Sequence, residues 1–141
     1  DISARALALR AEAGIKTRQP LQKLTIKEKL DKDLLELIKE EVNVKEIVSD
    51  RKLDLDTEIT EELKKEGQRR EFLRNVKSLR KKLGLNPEDK ASQLLTTFSD
   101  IVYEGLKEEA GVKEVKVVDK VEEPRKEMDV EGKKEYIAIK E

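Results

Sequence analysis

The sequence predicts an α+β fold of two similar helix-strand-helix-strand-strand units that share a long central helix. Three observations predict it. Apolar residues switch repeatedly between helical and strand spacing along the 141 residues. The run Leu37 to Ile47 aligns without a gap on Gly105 to Val115, so the chain repeats itself. Thr60 to Gly84 reads as a two-faced helix, with Phe72, Val76, Leu79 and Leu83 on one side. Arg70, Arg74, Lys77 and Lys81 recur about half a turn away, so one face is built for burial and the other to meet negative charge.

In order along the chain, Ala4, Leu7, Ala8 and Ala11 mark one side of a first helix, Ile2 to Ala13, ended by Gly14. Pro20 then opens a strand carrying Leu21, Leu24 and Ile26, a position proline tolerates at a strand start or edge. Asp31 or Asp33 caps a second helix, Leu34 to Val42, whose Leu34, Leu37, Ile38 and Glu41 spacing is amphipathic. Asn43 can close it. Val44, Ile47 and Val48 form a strand, and Leu53-Asp54-Leu55-Asp56 alternates as a half-buried one.

Thr60, followed by Glu61 and Glu62, opens the long helix with acidic residues where the macrodipole favours them. After the turn Asn86-Pro87-Glu88-Asp89, Ala91 to Thr97 reads as a strand, with a helical start as the alternative. Ile101, Val102, Leu106 and Ala110 then mark a helix ended by Gly111. A strand follows at Val112 to Val118, then a polar stretch from Glu122 to Gly132 that is loose around Pro124, and a closing strand through Tyr136, Ile137, Ala138 and Ile139.

The repeat gives these elements a common plan. Asn43 and Gly111 fall at equivalent positions, and both tolerate the left-handed conformation that ends a helix. Leu9-Arg10 with Gly14-Ile15 likewise matches Leu79-Arg80 with Gly84-Leu85. The expected units are residues 1–58 and 59–141, the second opening with the long basic helix.

Composition limits the chemistry. At 36% hydrophobic and 45% charged residues but a net charge of -1, balanced charge with regular periodicity indicates a folded, salt-bridged domain rather than a disordered tail. With no Cys and no His, a disulfide, a Cys/His zinc site, a thiol nucleophile and an imidazole base are all excluded. No apolar run approaches the roughly 18 residues needed to span a bilayer, so the chain is expected to be cytoplasmic, without membrane or metal partners. It starts at Asp1 rather than Met and reads as a piece of something longer.

The charge is unevenly placed. Residues 1–27 carry six basic and two acidic groups and residues 64–90 ten and four, whereas 28–63 and 91–141 are net acidic. A positive surface from helix 1, its following loop and the long helix would suit phosphate backbones. A solvated face that keeps a helix soluble is the plainer reading.

Ala11-Glu12-Ala13-Gly14-Ile15-Lys16-Thr17-Arg18-Gln19-Pro20-Leu21, and Leu55-Asp56-Thr57-Glu58-Ile59-Thr60-Glu61-Glu62-Leu63 followed by Glu66-Gly67 and Arg70-Glu71, resemble the C-terminal region of isoleucine–tRNA ligase in its long archaeal and eukaryotic form. The motif spacing, the Leu79 to Lys90 continuation and the closing Tyr136 to Ile139 strand extend the resemblance over nearly the whole chain, although Ala91 to Ser99 is less charged than the family's strand. The resemblance implies a part beyond the anticodon-binding bundle that helps grip isoleucine-specific tRNA near its anticodon end during protein biosynthesis. Its partners would be that tRNA and the remaining domains of the parent synthetase. Nothing in the chain resembles the HIGH or KMSKS motifs of the ATP-dependent catalytic domain, or the editing domain, so no enzymatic activity and no cofactor are expected of it alone.

Seven residues match the family and suit RNA: Lys16, Arg18, Gln19, Arg70, Arg74, Lys77 and Lys81. Lys16, Arg18 and Gln19 sit on a loop held by Pro20, where they either reach phosphate and base edges or anchor the loop. Arg70 can equally bridge to Glu71, whereas Arg74, Lys77 and Lys81 face outward and are the stronger phosphate candidates. Phe72 and Tyr136 read as core, which leaves little for a base-stacking platform. Asp54 and Asp56 share one strand face, and solvent exposure explains them better than catalysis. The alternative is a structural or protein-interaction module, whose signature would be an exposed apolar stripe left after the core is built.

Overall fold

Each half of the chain pairs two parallel strands through an intervening helix. In the computed structural model, which describes residues 1–141, the order is α1 (Ile2–Glu12), β1 (Leu21–Ile26), α2 (Lys32–Val42), β2 (Val44–Ser49), β3 (Asp54–Leu55) and α3 (Glu61–Lys82). There follow β4 (Ala91–Thr96), a 3-10 turn (Ser99–Ile101), α4 (Leu106–Ala110), β5 (Val112–Val117), β6 (Lys126–Val130) and β7 (Lys133–Lys140). The fold is α+β, and no helix is long and apolar enough to cross a membrane.

Two compact units divide the chain, Asp1–Gly67 and Gln68–Glu141. The division therefore falls inside α3 rather than at 58/59. The reason is local: Leu63 is buried, its carbonyl accepts from the Gln19 amide at 2.7 Å, and Lys45 Nζ meets Glu66 Oε1 at 2.6 Å, so the first turns of α3 are held by the first unit.

The first unit carries a sheet of order β2-β1-β3 and the second one of order β5-β4-β7-β6. β1 and β2 are parallel with Leu21 opposite Val44, and β4 and β5 are parallel with Ala91 opposite Val112. The registers are equivalent. Asn43 (φ 60°) and Gly111 (φ 68°) both end their helices in the left-handed region, as the alignment of the repeats requires. Even single backbone bonds recur: Leu21 N–H donates to Asn43 O at 3.1 Å, and Ala91 N–H to Gly111 O at 3.0 Å.

Each unit has its own core. Ile2, Ala6, Leu21, Leu24, Ile26, Val42, Val44 and Leu55 form the first, whereas Phe72, Val76, Leu94, Phe98, Leu106, Met128 and Ile137 are central to the second. Phe72 and Phe98 meet edge to face, with ring centroids 6.5 Å apart. Full burial of such side chains contributes about 1.5–3 kcal/mol each.

Several sequence expectations are corrected. In α1 the inward residues are Ile2, Ser3, Ala6 and Arg10, while Ala4, Ala8 and Ala11 are exposed; alanines surround this helix, so their spacing carries little directional information. In α2 Leu35, Ile38 and Val42 face the core and Leu34 and Leu37 do not. Leu83 lies beyond the end of α3 and is exposed, and Leu85 packs in its place. The supposed helix through Ile101 and Ala110 is two pieces, because Gly105 (φ 97°) starts α4 afresh. The polar stretch contains β6, recognisable only by buried Met128; its hairpin to β7 turns at Glu131 and Gly132, both with positive φ. Ala91 to Thr96 is a strand.

Candidate nucleic-acid interface

Arg10 and Arg80 define the frame on which the exposed cations sit. Arg10 donates through Nε to Val42 O at 2.7 Å, through Nη2 to Asn43 O at 2.7 Å and through Nη1 to Lys16 O at 2.9 Å. Arg80 donates through Nη1 to Gly111 O at 2.8 Å and through Nη2 to Asn86 O at 2.9 Å and to Asp89 O. Each guanidinium fastens the end of one helix to the loop that follows another. Burial lowers the pKa of Arg10 by disfavouring its charged form, a cost that the three carbonyls offset. Every buried side-chain nitrogen and oxygen in the chain has a hydrogen-bond partner.

The seven predicted residues divide between the units. In the first, Lys16 is exposed while its carbonyl takes the Arg10 bond, and Arg18 is half-buried with a partner inside the chain. Gln19 leaves the set. Its amide donates to Leu63 O at 2.7 Å and Pro20 O at 3.0 Å, which spends both N–H groups, and Gly67 leaves room for it: a Cβ there would overlap Oε1 of Gln19. Of the two arginines of α1, Arg5 pairs with Glu28 at 3.1 Å on the surface and Arg10 is buried. Glu28 titrates below the ordinary carboxylate range, first because its own backbone N–H stabilises the charge and then because of Arg5.

In the second unit Arg70, Arg74, Lys77 and Lys81 are all exposed on α3, and Arg70 already has a partner within the chain. Lys77 and Lys81 border a single cavity of about 540 Å³, so the structure brings these two together. Sequence reasoning missed Arg10 and Arg80 as the organisers of both loops. The signal was the repeated Leu-Arg before a glycine at matching offsets.

Two tyrosines are engaged by arginine instead of being open for stacking. Arg69 lies 4.5 Å from the centroid of the Tyr103 ring, and Arg125 lies 4.1 Å from that of Tyr136. Tyr103 is pushed up to about 12 by partial burial, then by its hydrogen bond to Glu109. Tyr136 is half-buried rather than core, and Phe98 takes the core position beside Phe72. Asp56 serves a turn, its Oδ1 accepting from Glu58 N–H at 3.0 Å. Chemically, the second unit offers exposed cations above a backbone held by Arg80, suited to binding an anion. Neither protein-family models nor curated proteins match the chain.

Proposed function

We propose that this chain is a C-terminal tRNA-binding appendage of an isoleucine–tRNA ligase, holding the anticodon end of the tRNA while chemistry proceeds in other domains. The observation that carries the reading is an internal comparison. By the match of Arg10 with Arg80, the first unit has Ala4, Leu7 and Ala11 where the second has Arg74, Lys77 and Lys81. The same scaffold folds without these three cations, so they serve something other than the scaffold. Lys81 in the last turn of α3 also suits the helix dipole, but Arg74 and Lys77 lie too far back for that effect.

The test is fluorescence anisotropy with the purified chain and isoleucine-specific tRNA over a range of salt concentrations. Replacing Arg74, Lys77 and Lys81 together by alanine is expected to weaken binding more than tenfold and leave the circular dichroism unchanged. Unchanged binding would remove this face from the proposal.

A second reading has its own observation. Leu34 and Leu37 on α2 are 46% and 62% exposed, an apolar pair of the kind a protein-interaction module would present to a neighbouring domain.

A further inference from the structure

We propose that the cavity at the C-terminal end of α3 seats one unstacked nucleotide of a single-stranded RNA segment, with preference for a base that carries an amino group. The inference rests on the RNA reading above and adds a subsite and a specificity to it. At about 540 Å³ the cavity lies within the usual range for small-ligand clefts, ample for a nucleotide.

Its walls divide by chemistry. Half-buried Leu85, backed by the buried Val76 and Ala110, supplies an apolar edge against which a base can lose contact with water, while Lys77 and Lys81 stand one turn apart on α3 to meet the phosphate. Exposed Glu108 supplies a carboxylate acceptor. Glu109 also faces Tyr103, whose titration it raises, so the exocyclic amine is assigned to Glu108. Adenine, cytosine and guanine offer that donor; uracil has no amino group, and its single N3–H donor is flanked by two carbonyl oxygens that a carboxylate repels.

The cavity is also held open in advance. Arg80 pins Asn86 O and Gly111 O on its two sides, and the Asn86 N–H donates to Asp89 Oδ2 at 2.8 Å. The first unit shows what closing it looks like. There the Asn43 side chain donates to Thr17 O at 2.8 Å, lacing the loop to the helix end. The second unit has Gly111 at that position, which has no side chain to bridge the gap, and Lys77 and Lys81 replace Leu7 and Ala11.

The experiment follows the backbone amides of the full chain by two-dimensional NMR during titration with single-stranded (rA)5, single-stranded (rU)5, a short RNA duplex and free AMP. The expected result is movement of the Gly84, Leu85, Asn86 and Gly111 amides with (rA)5, about tenfold weaker binding of (rU)5, and loss of that preference in Glu108→Gln. A duplex that moves these amides as strongly as (rA)5 overturns the seat, as does AMP acting where (rA)5 does not. If single strands move the amides around Arg74, Lys77 and Lys81 but not those of the loop, the seat is wrong and RNA binding by the helix stands. Silence with every RNA overturns both.

Discussion

The Arg80 guanidinium donates to the Gly111 carbonyl at 2.8 Å, and within the first unit Arg10 makes the same bond to Asn43 at 2.7 Å. Units of roughly 70 residues bury a limited core, so a charged staple on three carbonyls is a large share of their stability. Arg10→Met and Arg80→Met are each expected to cost about 3 kcal/mol, since each leaves several backbone acceptors without donors. Urea unfolding measures this, and hydrogen exchange should show protection lost first at Ile15 or Leu85. A cost below about 0.5 kcal/mol, the level of an ordinary surface change, would mean that the staples are incidental.

Gly67 and Gln19 should be energetically coupled. Alanine in a helix interior is favoured over glycine by about 1 kcal/mol, but a Cβ at position 67 displaces the Gln19 amide from Leu63 O. Gly67→Ala is therefore expected to be neutral or destabilising in the native background, and stabilising by about 1 kcal/mol once Gln19→Ala has been made. A double-mutant cycle in urea reads the change of sign.

Tyr103 should report its surroundings at alkaline pH. Its folded pKa is raised above that of the unfolded chain, so the stability it confers is complete below about pH 10 and is lost as pH rises through about 12. With only two tyrosines in the chain, phenolate absorbance in a Tyr136→Phe background reads Tyr103 alone. Glu109→Gln should bring the Tyr103 transition to lower pH, because it removes a negative neighbour that opposes a second negative charge.

Leu34→Glu and Leu37→Lys on α2 are expected to change stability by less than about 0.5 kcal/mol, whereas Ile38→Ala should cost more because Ile38 packs against the core. If both polar substitutions leave tRNA affinity and attachment to any partner domain unaltered, the interaction-module reading has no support from this surface.

Salt dependence gives a further measure of the basic face. Three phosphate contacts on a single strand correspond to a slope of about 2 in log affinity against log salt. Alanine at Arg74, Lys77 and Lys81 should flatten the measured slope by about that amount, while Gln19→Ala should leave it unaltered because its amide is spent inside the chain.

Local sequence by itself determined the α+β class, the repeat, the left-handed helix ends at Asn43 and Gly111, the Thr60 cap and the outward placement of Arg74, Lys77 and Lys81, and it left Asp31 and Asp33 as alternative caps of α2, of which the structure uses Asp31. These follow from periodicity and single-residue conformational preference, which act over a few residues. Tertiary structure decided the rest. It turned α1 so that Ile2, Ala6 and Arg10 face inward, withdrew Gln19 to Leu63, placed the unit boundary within α3 and set β6 beside β7. Carbonyls 6 to 33 positions away are what make burial of Arg10 favourable, and no local pattern reports them. Lys77 and Lys81 were legible as cations; the cavity between them and Gly111 exists only once α3 and α4 are packed.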